Sequence, residues 1–204
     1  MKRFSKGQLS LAAGLIISVV FSFTSFAFSC ADIRIKVLRL HVLANSDSPE
    51  DQTLKLKVRD RILLCGEGIF EQVGDVEEAK SAVQKNLSIF LEAARDEIAQ
   101  NGYHYDVDIE LAKSYFETRY YDHFTLPAGE YEAVRVLIGD AKGKNWWCVM
   151  FPAVCVPAAR GKAALSDVLS EEELDVVENG RKYQLRFKSL EMIEELKHRL
   201  GGRR

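Results

Sequence analysis

The chain has 204 residues, 47% of them hydrophobic, with 28 basic and 30 acidic groups and a formal charge of −2. That length and apolar content suit one domain of ordinary size, which needs no disulfide merely to stay folded. The charge balance and a pI near 6.1 exclude the broad basic surface that nucleic-acid binding requires, so no nucleic-acid partner is expected.

Lys2, Arg3 and Lys6 precede an uncharged run, LSLAAGLIISVVFSFTSFAFS, at residues 9–29. A basic start followed by about 20 apolar residues is an export segment, and the same length spans a bilayer as a helix. Residues 1–31 are therefore read as a signal peptide or an N-terminal membrane anchor, and 32–204 as a single exported domain. Small residues suit signal peptidase after Ala27 or Ala31; left uncut, residues 9–29 are the expected membrane contact. Cys30 follows Ala27 and Phe28, a poor match to a lipoprotein box. The positive-inside rule sends everything after the segment across the membrane.

From Val37 to Ala44 apolar and polar residues alternate, which predicts a strand. The loop NSDSPED follows, residues 45–51. Ser48 is placed to cap a helix with Pro49 at its first position and Glu50 and Asp51 in its first turn. The helix is expected to run to about Leu64, burying Leu54, Val58, Ile62 and Cys65. A second helix starts at the Asp75 cap, carries an apolar stripe from Val76 to Ile98 and ends at Asn101–Gly102. The period then changes to two from Tyr103 to Leu111, a half-buried strand.

The aromatic stretch at 115–125, YEAVRVLIG at 131–139 and WWCVMF at 146–151 predict three more strands in hairpin order. Residues 166–177 read as helix, 181–187 as a short strand, and Ser189–Leu200 as an amphipathic helix. The expected class is α+β: one strand, two helices, then an antiparallel meander with a C-terminal helix, the helices packed on the sheet.

Catalytic and metal signatures are weak. His104, Asp106, Asp108 and Glu110 share a strand face, but same-face neighbours lie nearly 7 Å apart along a strand, which favours a solvated polar face over a metal site. Starting from Asp47, an EF-hand loop would put Pro49 and Gln52 at ligand and glycine positions, which excludes it. No nucleophile elbow, HExxH helix or CxxC pair occurs, so no catalytic residue, metal or cofactor is assigned. Cys148 and Cys155, seven apart and flanking Pro152, suit a disulfide in an oxidising compartment; the competing reading makes them small apolar core residues. A secreted cysteine hydrolase using Cys148 or Cys65 with a histidine is the rival function, and a membrane-tethered envelope protein the third.

The motifs LRLHVLANSDSPEDQTLKLKVRDRIL and LPAGEYEAVRVLIGDAKGKNWWCVMFP, placed behind an export signal, resemble stage II sporulation protein R of endospore-forming Firmicutes. The resemblance covers about Val37 to Cys155, leaving 156–204 as a C-terminal extension. It implies a signalling protein rather than an enzyme. Such a protein is secreted across the forespore membrane into the intermembrane space, where it activates a membrane-embedded aspartic protease of the mother-cell membrane and so leads to processing of the sigma-E precursor. Capping explains Ser48 to Asp51 but not Asn45, Ser46 and Asp47. These three, with Arg39 and His41 on the preceding strand, are the candidate partner contacts.

Overall fold

Ser48 holds an extended backbone and its Oγ accepts from the Asp51 N–H at 3.1 Å, so the loop after the first strand ends in the expected cap. The computed structural model describes residues 6–70, 73–152 and 165–201. They fall into two compact units: Met1–Ile33, Glu117–Gly129 and Glu171–Arg204 form one, and Arg34–Phe116 and Glu130–Ser170 the other.

The larger unit holds β1 (Leu38–Leu43), α2 (Pro49–Ile69), α3 (Val76–Lys85), α4 (Leu87–Gln100), β2 (Val107–Phe116), β5 (Gly129–Ile138), β6 (Asn145–Phe151) and the short α5 (Leu165–Val168). The α+β class of the sequence reading holds. The sheet, however, is mixed, in the order β2-β5-β1-β6: β1 runs parallel to β5 and antiparallel to β6. The expected meander is thus opened by β1, whose Val42 pairs with Val136 on one side and Trp146 on the other. A strand with apolar residues on alternate positions and two strand neighbours belongs in a sheet centre, not at its edge.

Leu38, Leu40 and Val42 of β1, Val134, Val136 and Ile138 of β5, and Cys148 and Met150 of β6 form one apolar face. Leu54, Val58 and Ile62 of α2, Ala79 and Val83 of α3, and Phe90, Ala94 and Ile98 of α4 pack on it. The period-3.6 stripes read from the sequence are the buried ones. One expected helix is in fact two. Asn86 Nδ2 donates to the Ala82 carbonyl while its N–H bonds to Val83, ending α3 and starting α4. A side-chain amide that competes for backbone groups in this way breaks a continuous helix. Likewise β2 begins at Val107 rather than Tyr103, and runs on to Phe116.

The smaller unit contains most of α1 (Lys6–Ile35), the two-residue strands β3 (Arg119–Tyr120) and β4 (Thr125–Leu126), α6 (Glu171–Glu178), a 3-10 turn at Gly180–Tyr183 and α7 (Gln184–Gly201). The aromatic stretch 115–125 therefore yields only a minimal hairpin, Arg119 pairing with Leu126 and Tyr120 with Thr125. Residues 181–187, expected as a strand, are helical. The Tyr183 hydroxyl donates to Asp175 of α6, and Phe187 meets Phe26 edge-on at 5.1 Å, so helical neighbours satisfy both side chains.

Candidate partner-binding surface

Because side chains alternate along a strand, the residues between the core positions project to the sheet's second face. Arg39 and His41 of β1, Tyr131 and Arg135 of β5, Glu110 and Phe116 of β2, and Asn145 and Trp147 of β6 have that parity. The face is polar and aromatic rather than merely solvated. Arg39 is 0% exposed, its guanidinium 4.1 Å from the Phe116 ring centre and 4.9 Å from that of Tyr131. Its Nε donates to the Cys148 carbonyl at 3.4 Å. Stacking on two ring faces offsets part of the cost of desolvating the charge. Arg135 pairs with Glu110 at 2.5 Å beside it.

His41 lies next along β1, its ring 5.9 Å from that of Phe116 and 6.1 Å from that of Trp147. Nε2 stands 2.9 Å from Asn145 Oδ1, an atom that only accepts, so Nε2 carries the proton and the neutral ring leaves Nδ1 as an acceptor. Burial lowers the His41 pKa below its ordinary value, and the Arg135 and Arg39 charges add to this against the opposing Asn145 hydrogen bond. His41 is thus held neutral.

The loop after β1 is a clamp. Asp51 is 5% exposed, and its Oδ2 accepts from Ser46 Oγ at 2.5 Å and Asn45 Nδ2 at 2.9 Å. Burial alone would push the Asp51 carboxyl up, but donors from Ser46, Asn45 and Tyr105 outweigh it and hold the carboxyl below its usual value. Asn45 Oδ1 in turn accepts from the Asp140 N–H at 3.0 Å, and Asp47 Oδ1 from the Lys144 N–H at 2.7 Å. The turn between β5 and β6 is thereby tied to the start of α2.

Two glycines make this close approach feasible. Gly139 has φ +56°, and a Cβ on it would sit 2.3 Å from Asn45 Oδ1; one on Gly143 would sit 2.2 Å from the Ser46 carbonyl oxygen. Lys55, 3% exposed, completes the joint by donating to Gln52 Oε1 and the Lys144 carbonyl at 2.6 and 2.8 Å. Burial lowers its pKa, with the Arg59 and Lys144 charges acting the same way against Asp47.

Asn45, Ser46 and Asp47, which capping alone left without a role, are thus brought together by one network. Asp47 remains exposed at its rim, beside exposed Asp140, Lys142 and Lys144. Sequence reading missed Asp51 as the hub, because a first-turn acid already has a role at a helix N-terminus, and missed Gly139 and Gly143, because they meet Asn45 and Ser46 across about 95 residues and carry no side chain to signal it. Trp146 and Trp147 point to opposite faces: Trp146 is 37% exposed under the Arg59 guanidinium at 4.4 Å, and Trp147 meets His41.

Cys148 pairs with Leu40 in the ladder and joins the helix-covered core, whereas His41 pairs with Trp147 on the opposite face, so these two form no nucleophile–base couple. The expected Cys148–Cys155 bridge reaches Cys155, which lies outside the described residues. Cys30 is buried and Cys65 half-buried, and neither is in a disulfide.

The fold and this surface define a class: an α+β domain carried behind an apolar N-terminal helix, with a polar-aromatic sheet face and a clamped loop. The profile of the stage II sporulation protein R family matches residues 34–160, and the chain belongs to that family. It is 34% identical over 120 residues to stage II sporulation protein R of Bacillus subtilis (strain 168), an alignment covering 59% of this chain and 54% of that protein. The chain thus spans about half the length of the curated relative it matches. No solved structure matches it. Family membership supports a role in sporulation.

Proposed function

We propose that the protein is an exported sporulation signal that binds a membrane-embedded aspartic protease and favours its active state, leading to processing of the sigma-E precursor. The observation that carries this reading is the family match across 34–160, which contains the sheet face and the clamped loop. Activation by binding requires no chemistry of the ligand, only tighter binding to the active than to the inactive receptor. The N-terminal apolar helix, Lys6–Ile35, is compatible with export by a signal or an anchor and so with action between two membranes.

The contact we place first is Asp47 with the turn at 139–144, the exposed rim of the clamp. Ser46, Asn45 and His41 shape that rim from behind. Arg39, sealed between Phe116 and Tyr131, contributes by holding the sheet face rather than by touching a partner.

The test is co-expression of the chain with the protease and its sigma precursor in a host lacking both. Processing is expected with the chain and strongly reduced with Asp47→Ala, at unchanged protein level. Processing that proceeds equally without the chain would end this reading.

A further inference from the structure

α7 has two opposed apolar faces, and only one of them is used inside the smaller unit. Phe187 and Leu190 are buried at 0% and 3% exposure. On the opposite side Leu185, Met192, Ile193, Leu196 and Leu200 are exposed at 86%, 64%, 42%, 58% and 60%. At about 100° per residue these five, with Ser189 among them, fill one continuous arc roughly 100° wide along the whole helix. A soluble helix has no use for a second stripe of this length facing water.

The charges of α7 are sorted around that arc. Arg186 and Lys197 border one edge, Lys188 and Arg199 the other, while Glu191, Glu194 and Glu195 lie farther round. Three of the cations pair with these acids along the helix: Lys188 with Glu191 and Lys197 with Glu194 at 3.0 Å, and Arg199 with Glu195 at 2.5 Å. The cations of these pairs are exposed, and an ion pair open to water on its cationic side is weak. An apolar stripe edged by long cationic side chains, with the acids behind, is the pattern of a helix lying in a membrane interface.

The start of α7 is also held against the apolar N-terminal helix. Phe26 of α1 stacks on Tyr183 at 5.6 Å and meets Phe187 at 5.1 Å, the Arg186 guanidinium lies 5.5 Å from the Tyr183 ring, and Arg186 Nη2 donates to Ser22 Oγ at 3.0 Å. α1 has 30 residues, of which about 20 cross a hydrocarbon core roughly 30 Å thick. Counting from Leu9, the hydrocarbon ends near Phe26 to Phe28, where an aromatic and arginine cluster is at home.

We infer that α7 lies in the headgroup–acyl boundary of a phospholipid bilayer, with the Leu185–Met192–Leu196–Leu200 stripe in the acyl region and Lys188, Lys197 and Arg199 reaching the phosphates. The protein then touches its membrane through a second element besides residues 9–29. The smaller unit is thereby fixed close to the membrane surface.

The experiment uses the full chain in nanodiscs of phosphatidylglycerol and phosphatidylcholine, with and without dibrominated acyl chains. Leu196→Trp adds a fluorophore to the stripe and Glu195→Trp adds one to the acidic side, each read as emission above the background of Trp146 and Trp147. The added tryptophan at 196 is expected to lose at least about twofold of its emission in brominated discs, as a face sunk roughly 5–10 Å requires, while that at 195 loses little. Lys197→Gln with Arg199→Gln is expected to reduce the quenching at 196 and leave far-ultraviolet circular dichroism unchanged. An unquenched tryptophan at 196, or equal quenching at 195, overturns the assignment. A stripe filled by a second copy or by a protein partner gives that same unquenched result.

Discussion

Asp51→Ala is the perturbation on which the clamp stands or falls. The carboxylate is 5% exposed and takes hydrogen bonds from Ser46 and Asn45 on one oxygen, with the Tyr105 hydroxyl as a further donor. A hydrogen bond to a charged group contributes about 1.5–3 kcal/mol. The donors, however, sit near the surface where water replaces part of the loss, so the total is discounted to about 2–4 kcal/mol for Asp51→Ala. Both tryptophans of the chain lie in the larger unit, so their fluorescence follows its unfolding in urea. With a slope of about 2 kcal/mol per molar, the midpoint should fall by about 1–2 M. The sign of the pH effect follows from the shift. The folded pKa of Asp51 is below its unfolded value of 3.8, so its contribution is complete above that value and disappears as pH falls through the folded pKa. Wild type and variant should therefore converge on acidification. A midpoint within about 0.2 M of wild type, or a gap that persists in strong acid, would refute the clamp.

Gly143→Ala should destabilise the same unit by about 1–3 kcal/mol, since its Cβ would meet the Ser46 carbonyl oxygen, a backbone atom that can only move with the loop; the urea midpoint reports it. His41 is held neutral by burial first, so its folded pKa lies below its unfolded one: its contribution is whole above the unfolded value and declines as pH falls toward the folded one. His41→Gln should accordingly flatten the loss of melting temperature between about pH 7.5 and 5. Phe26→Ala should cost the smaller unit about 3–5 kcal/mol, because Phe26 is 4% exposed and removing its ring leaves a cavity against Tyr183 and Phe187; faster tryptic cleavage at Arg181, Lys182 and Arg186 is the readout.

The parts of the fold legible in the sequence are those governed by neighbours in the chain. The Ser48 and Asp75 caps, the α2 stripe through Leu54, Val58 and Ile62, and the alternation along β1 each depend on residues within a few positions. Sheet order does not, and nothing local in LRLHVL says that its two edges will meet residues 133–137 and 145–151. Local propensity also misleads where a distant contact decides. The residues RKYQLRF have the aromatic and alternating look of a strand, yet Asp175 takes the Tyr183 hydroxyl and Phe26 takes the Phe187 ring. The candidate surface divides along the same line: Asn45, Ser46 and Asp47 were conspicuous because capping did not need them, while Asp51 was hidden behind its ordinary role in a first helical turn.

Ala27 and Ala31 have the small side chains that signal peptidase accepts, but residues 26–35 continue one helix, and Phe26, Cys30 and Ile33 on it are buried at 4%, 0% and 0% exposure. A peptidase needs its substrate extended, so cutting there requires unwinding at least one turn and pulling Phe26 away from Tyr183 and Phe187. A cut after Ala27 would then take the Phe26 ring away from Phe187. Folding of the smaller unit and cleavage at these alanines therefore compete. Whichever is faster decides whether the chain is released from residues 9–29 or keeps them.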